Sequence, residues 1–200
     1  MRYDTEQKQR TREKVLQVAA KAIRAEGPDR IGVAGVMAEA GLTHGGFYAH
    51  FKSKDDLVAA AIERMFEETY ARVQREMDGR DAAEGLAAYI DFYLSKKHRD
   101  TRELGCALAA LSSDLPRLTD TARETFAAGS RQLVDTLAEK LAQLGHADTG
   151  AQARLLVAEL VGSLSLARIE PVATRSNALL ADAKRLIKQR LGLKENSSPS

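Results

Sequence analysis

Along nearly the whole chain, apolar residues recur at spacings of three and four, alanine and leucine are abundant, and β-branched alternation is missing. That period is the helical one, so the pattern predicts helices and no strands. Val15, Val18, Ala19, Ala22 and Ile23 share one face of a first helix that stops at Gly27 and Pro28, where proline cannot continue the hydrogen-bond ladder. Val33, Val36, Met37 and Ala40 mark a short second helix, with Gly41 as the residue able to enter the left-handed region that ends it. Leu42 plugs the corner and Thr43 takes the N-cap position of another short helix. That helix carries His44, Gly45, Gly46, Phe47, Tyr48 and His50 before Phe51 returns to the core. A long helix starts at Ser53, with Asp56 as its capping-box partner, and runs through Val58, Ile62, Met65, Phe66, Thr69, Tyr70 and Val73. Further starts fall at Asp81, near Thr101, at Asp114, near Thr149 and near Ser176. The resulting expectation is an all-α chain of about nine helices. It divides into an N-terminal helix-turn-helix domain over 1–53, a larger helical domain over 54–193, and a polar, disordered tail, KENSSPS, over 194–200.

Charge sharpens this picture once it is divided by position. The whole chain is only +2, with 30 basic and 28 acidic residues. Residues 1–54, however, hold ten Lys or Arg against six Asp or Glu, which concentrates positive potential at the N-terminal end. A single cysteine, Cys106, excludes an intramolecular disulfide framework and points to a reducing compartment. The first residues lack the apolar stretch of a secretory signal, and no run is long enough to span a membrane, so the expected location is the cytoplasm. No Cys or His cluster has metal-ligand spacing, and neither a metal nor another cofactor is expected.

The segment from Ile31 to Leu57 carries the chemistry. Two short helices around a glycine corner form the unit that inserts into the DNA major groove. Gly45 and Gly46 weaken an isolated helix by about 1 kcal/mol each relative to alanine. They also remove the side chains that would hold the backbone away from base edges. Three stretches extend the signal: TREKVLQVAAKAIRAEG over 11–27, VMAEAGLTHGGFYAHF over 36–51 and KSKDDL over 52–57. Together they resemble the tetracycline-repressor (TetR) family of bacterial transcription regulators. The resemblance implies a dimeric, all-helical repressor that leaves its double-stranded DNA operator when a small-molecule effector enters the larger C-terminal domain. By position it implies that Thr43, His44, Gly45, Gly46 and Phe47 form the reading edge, that Tyr48 and His50 reach phosphates, and that Lys54 holds another phosphate with the amides of its helix. The family commonly has lysine, arginine or serine where His44 stands, and often a threonine or serine cap where Gly32 stands.

Past Leu57 the residues point to a pocket and a self-association surface. Phe66, Tyr70, Tyr89, Phe92, Tyr93, Cys106 and Phe126 are the aromatic and soft side chains from which an effector pocket is made on one reading, and ordinary core on the other. Apolar residues cover more than one face of the last two long helices, so a homodimer interface is expected there, through Leu160, Leu164, Leu179, Ala183 and Leu186. A two-fold dimer suits a palindromic site. Cys106 has two readings, an electrophile-sensing thiol or a small buried hydrophobe. The alternatives to a ligand-responsive regulator are an architectural DNA-binding protein without a ligand and, with Cys106 as nucleophile and His98 or His146 as base, a thiol-dependent enzyme. The sequence shows no catalytic signature for the last, and the chain is read as a non-enzyme.

Overall fold

A computed structural model describes the backbone of residues 2–194 and the side chains of 5–194. The tail expected to be disordered lies, from residue 195 on, outside the described residues. Among the described residues there are nine α-helices, three short 3-10 turns and no strand. The helices are α1 (Arg2–Glu26), α2 (Val33–Glu39), α3 (Lys54–Met77), α4 (Ala82–Tyr93), α5 (Lys96–Asp100), α6 (Ala107–Leu111), α7 (Asp120–Gln143), α8 (Thr149–Ile169) and α9 (Ala173–Arg190).

The stop and start signals operate as the chemistry requires. Gly27 takes φ +91° and its N–H closes α1 onto the Ile23 carbonyl at 2.9 Å. Gly41 takes φ +70°, and the next N–H, that of Leu42, bonds back to the Met37 carbonyl at 2.9 Å. At the head of α3, Ser53 Oγ accepts from the Asp56 N–H at 3.1 Å while Asp56 Oδ2 accepts from the Lys52 N–H at 2.9 Å. Two amides that the helix leaves unpaired are satisfied reciprocally. Asp81 caps α4 through the Glu84 N–H, and α8 begins at Thr149.

Three expected starts move. The helix placed near Thr101 is a 3-10 turn over Arg102–Leu104 followed by α6 at Ala107, and the five-residue α5 precedes it. Asp114 opens a 3-10 turn over Leu115–Arg117, with Pro116 inside it, and the long α7 starts only at Asp120. α9 starts at Ala173, three residues before Ser176, whose hydroxyl donates to the Ala167 carbonyl at 2.6 Å instead of capping a helix.

The chain gathers into two compact units. The first is formed by the described residues of Met1–Glu68 and Arg102–Gly129, the second by those of Thr69–Thr101 and Ser130–Ser200. In the first unit, Val15, Leu16, Ala19, Ala20 and Ile23 of α1 and Leu57, Ala61, Ile62 and Met65 of α3 are buried. Arg24 is buried with them. Its Nη2 pairs with Glu68 at 2.7 Å and donates to the Met65 carbonyl at 3.4 Å, and its Nη1 donates to the Glu103 carbonyl at 3.4 Å. One guanidinium thus ties the end of α1 to α3 and to the turn before α6. In the second unit, Leu156, Leu160, Leu164 and Ala167 of α8 and Leu180 and Ile187 of α9 are buried. Lys188 is buried against Asp91 at 2.7 Å, fastening α9 to α4.

Candidate nucleic-acid interface

The second short helix of the helix-turn-helix is a six-residue 3-10 turn, His44–Ala49, where an α-helix was expected. Two consecutive glycines explain this, since neither supplies the propensity that propagates an α-helix. Thr43 precedes the turn in extended backbone, φ −79° and ψ 147°, without a side-chain capping bond; the Gly46 N–H bonds to the Thr43 carbonyl at 3.0 Å.

Of the expected reading edge, Thr43, His44 and Gly45 are exposed and Gly46 is half-buried. Phe47 is not on that edge: it is 1% exposed, stacked on Phe51 with ring centroids 5.5 Å apart. The aromatic corner of the motif is therefore core. Tyr48 is 71% exposed, its ring held edge-on to Phe47 at 5.3 Å. Neither glycine of the turn is in the left-handed region. A Cβ added at Gly45 would meet nothing within 4 Å, and one at Gly46 would make only ordinary contacts with Met37 and Thr43. The fold itself has no need of glycine at either position.

His50 follows the turn, half-buried, and its Nδ1 has no hydrogen-bond partner among the described residues. Burial pushes the imidazole below its ordinary value, and the nearby charges of Lys8 and Arg12 push the same way. Those two cations are residues that the sequence reading did not assign. Four-residue spacing places Lys8 and Arg12 on one face of α1, and the Arg12 guanidinium lies 5.1 Å from the centre of the Phe51 ring. Lys54 is half-buried at the first turn of α3 and its Nζ donates to the Asp29 carbonyl at 3.0 Å, so it holds the α1–α2 connection.

The residues expected to line an effector pocket divide between the units. In the first, Phe66 packs edge-on to Phe126 at 5.3 Å, and its ring sits so close over α7 that Gly129 has no room for a Cβ. Cys106 is 6% exposed and takes the N-cap position of α6. In the second, Tyr89 and Tyr93 are buried and meet edge to face at 5.9 Å. His98 stacks on Phe92 at 5.2 Å and its Nδ1–H donates to the Tyr93 carbonyl at 2.7 Å. Phe92 also carries the Arg72 guanidinium 4.3 Å from its centre. Burial pushes Tyr70 up to about 12, so its phenol stays protonated. His98 and His146, the alternative bases, both hydrogen-bond to backbone carbonyls.

Of the expected dimer residues, Leu160 and Leu164 lie inside the subunit at 1% and 0% exposure. α8 has two apolar faces, and these two leucines belong to the inner one. Leu179 and Leu186 of α9 are exposed and Ala183 is half-buried. Leu155, Leu166 and Ile169 of α8, with Val172 after it, are exposed as well. These are the residues that make the last two helices apolar on their outer face. Among the described residues, no group of three or more His, Cys, Asp or Glu is placed to hold a metal, and no helix is long and apolar enough to cross a membrane.

Residues 15–61 match the family model described as bacterial regulatory proteins, tetR family. The chain is 31% identical over 91 residues to the uncharacterized HTH-type transcriptional regulator YvdT of Bacillus subtilis. That match covers 44% of this chain and 47% of YvdT, so it spans about half of that relative's length. It is 28% identical over 158 residues to the nucleoid occlusion factor SlmA of Vibrio campbellii, covering 76% of this chain and 79% of SlmA. In structure it is similar to a TetR-family transcriptional regulator from Agrobacterium tumefaciens, with a TM-score of 0.77, 25% identity, and coverage of 92% of this chain and 98% of that one. Nine α-helices among the described residues, a helix-turn-helix closed by a Phe47–Phe51 core, and these likenesses lead to one conclusion: residues 15–61 carry the segment that the tetR family model describes, in a chain whose fold is similar to that of a TetR-family transcriptional regulator.

Proposed function

We propose that the protein is a homodimeric repressor that holds a palindromic operator and leaves it when a small molecule binds. The observation that carries the DNA reading is a turn stripped of side chains at Gly45 and Gly46 although the fold leaves room for them. Missing side chains that the protein does not require leave space for an outside partner to approach the backbone, as a major groove does. Beside that bare stretch lie Tyr48 and His50, with Lys8 and Arg12 close to His50, and Lys54 is the first residue of α3. These are the donors for phosphate contacts, and they set position and salt dependence rather than sequence.

On this reading 1–53 is the DNA-binding part and 54–193 the effector and dimer part, with α3 opening the second part directly after the reading turn. An effector acts by favouring one of two arrangements of α3, only one of which spaces the two reading turns of a dimer for DNA. Tyr89, Phe92 and Tyr93 are the proposed effector wall, while Phe66, seated on Gly129, is packing. Cys106, buried at the start of α6, is a filler unless an electrophile reaches it; loss of electrophile-triggered DNA release in Cys106→Ser is the result that assigns it a sensing role.

The test is selection of bound duplexes from a random pool by the full chain, followed by a screen for compounds that release the best of them. A palindrome and a releasing compound are the expected results. A duplex that no compound displaces leaves the ligand-independent architectural reading in place of the repressor.

A further inference from the structure

The reading turn carries very little with which to read. Six residues at about 2 Å rise each make it about 12 Å long, and at about 3.4 Å per step that spans three to four base pairs. Within it, Gly45 and Gly46 have no side chain, Ala49 has only a methyl, and Phe47 is buried against Phe51. Only His44 and Tyr48 project functional groups into solvent. Tyr48 is braced edge-on against Phe47 and its phenol is assigned above to a phosphate. His44 is exposed and belongs to no hydrogen bond that the described residues show.

We infer that His44 is the one side chain within this turn that discriminates bases, that it selects guanine at one position in each half-site, and that the rest of the preference the turn supplies is for duplex shape. This rests on the DNA-binding reading above. A neutral imidazole has one N–H donor and an imidazolium two. In the major groove guanine presents two acceptors side by side, N7 and O6; adenine offers one acceptor beside a donor, thymine one beside a methyl group, and cytosine only a donor. A donor at His44 therefore finds its best and most tolerant target at guanine. The bare backbone at Gly45 and Gly46 reads groove width and deformability, which carry sequence preference without base contacts.

The experiment is selection from a random duplex pool with the full-length protein, in parallel with His44→Ala and His44→Asn, with competition binding on the selected site. The parent is expected to show one dominant guanine per half-site. His44→Ala is expected to lose about tenfold of the discrimination there, with flanking preferences and salt slope unchanged. His44→Asn is expected to move the preference at that position to adenine, since an amide pairs with adenine N6 and N7. Because His44 is exposed, unchanged thermal melts will show that both variants fold. A His44→Ala profile identical to the parent's overturns the inference, as does loss of discrimination at several separated positions. Binding without any sequence preference in the parent overturns it too, while leaving DNA as the partner. Failure of the parent to bind any duplex overturns the DNA-binding reading itself.

Discussion

His50 shows how a single side chain inherits its properties from neighbours far away in sequence. Its imidazole is held below the ordinary value of 6.5 by burial first and then by Lys8 and Arg12. The folded protein therefore binds that proton less readily than the unfolded chain. Stability from this site is fully present above about pH 6.5 and is lost as pH falls through the lowered value, because the unfolded state takes up the proton first. Thermal melts at pH 7.5 and 5.5 are expected to show a smaller drop in His50→Gln than in the parent. Equal drops would place the titration elsewhere. The sequence names His50 as a phosphate ligand from its place in a motif, but says nothing of the cations beside it. Those come from α1, some forty residues earlier, and only folding brings them within reach. Phe47 makes the same point in reverse: one position from an exposed tyrosine, it belongs to the core, where its ring stacks on Phe51, whose N–H bonds back to the Phe47 carbonyl at 3.0 Å.

Among the elements, those with local causes were the legible ones. The stops at Gly27 and Gly41, the capping box at Ser53, the Asp81 cap and the start of α8 are each decided within four or five residues. The region from Lys96 to Asp120 was not, because α5, α6 and the turns between them are too short to display a helical period. Their ends are set by tertiary bonds such as Arg24 to the Glu103 carbonyl. Long-range packing also explains a residue that propensity alone would reject. Gly129 sits in the interior of α7, where alanine is better by about 1 kcal/mol, yet the Phe66 ring of α3 occupies the space its Cβ would need. Gly129→Ala is therefore expected to destabilise, by about 1–3 kcal/mol of overpacking less that propensity gain. Urea denaturation will read the difference. A variant more stable than the parent would show that Phe66 moves aside freely.

For the molecule as a whole, the decisive surface is the outer face of α8 and α9. Leu166, Ile169, Leu179 and Leu186 stay exposed in one subunit, which an isolated chain tolerates poorly. On the proposed reading a second copy buries them where two such faces meet in a four-helix interface, and a two-fold dimer matches a palindromic site. The paired change Leu166→Glu and Leu186→Glu is expected to leave helicity intact and to make the chain sediment as a monomer with operator affinity sharply reduced. The single change Leu164→Glu, at a buried position, is expected to unfold the second unit instead. If the double variant still sediments as a dimer, the interface lies on another face.

Sequence by itself determined the helical class, the sharp stops and caps, the glycine corner and the likeness of residues 15–61 to the tetR family model, because each is encoded in periodicity or in a few adjacent residues whose chemistry has one local solution. Tertiary structure decided which face of α8 points inward, that Phe47 is core while Tyr48 is not, and that Arg24, Lys8 and Arg12 have partners on other segments. A two-faced apolar helix, an aromatic pair and a lone cation each have more than one acceptable environment. The choice among those environments is made by what else must be buried in the same space.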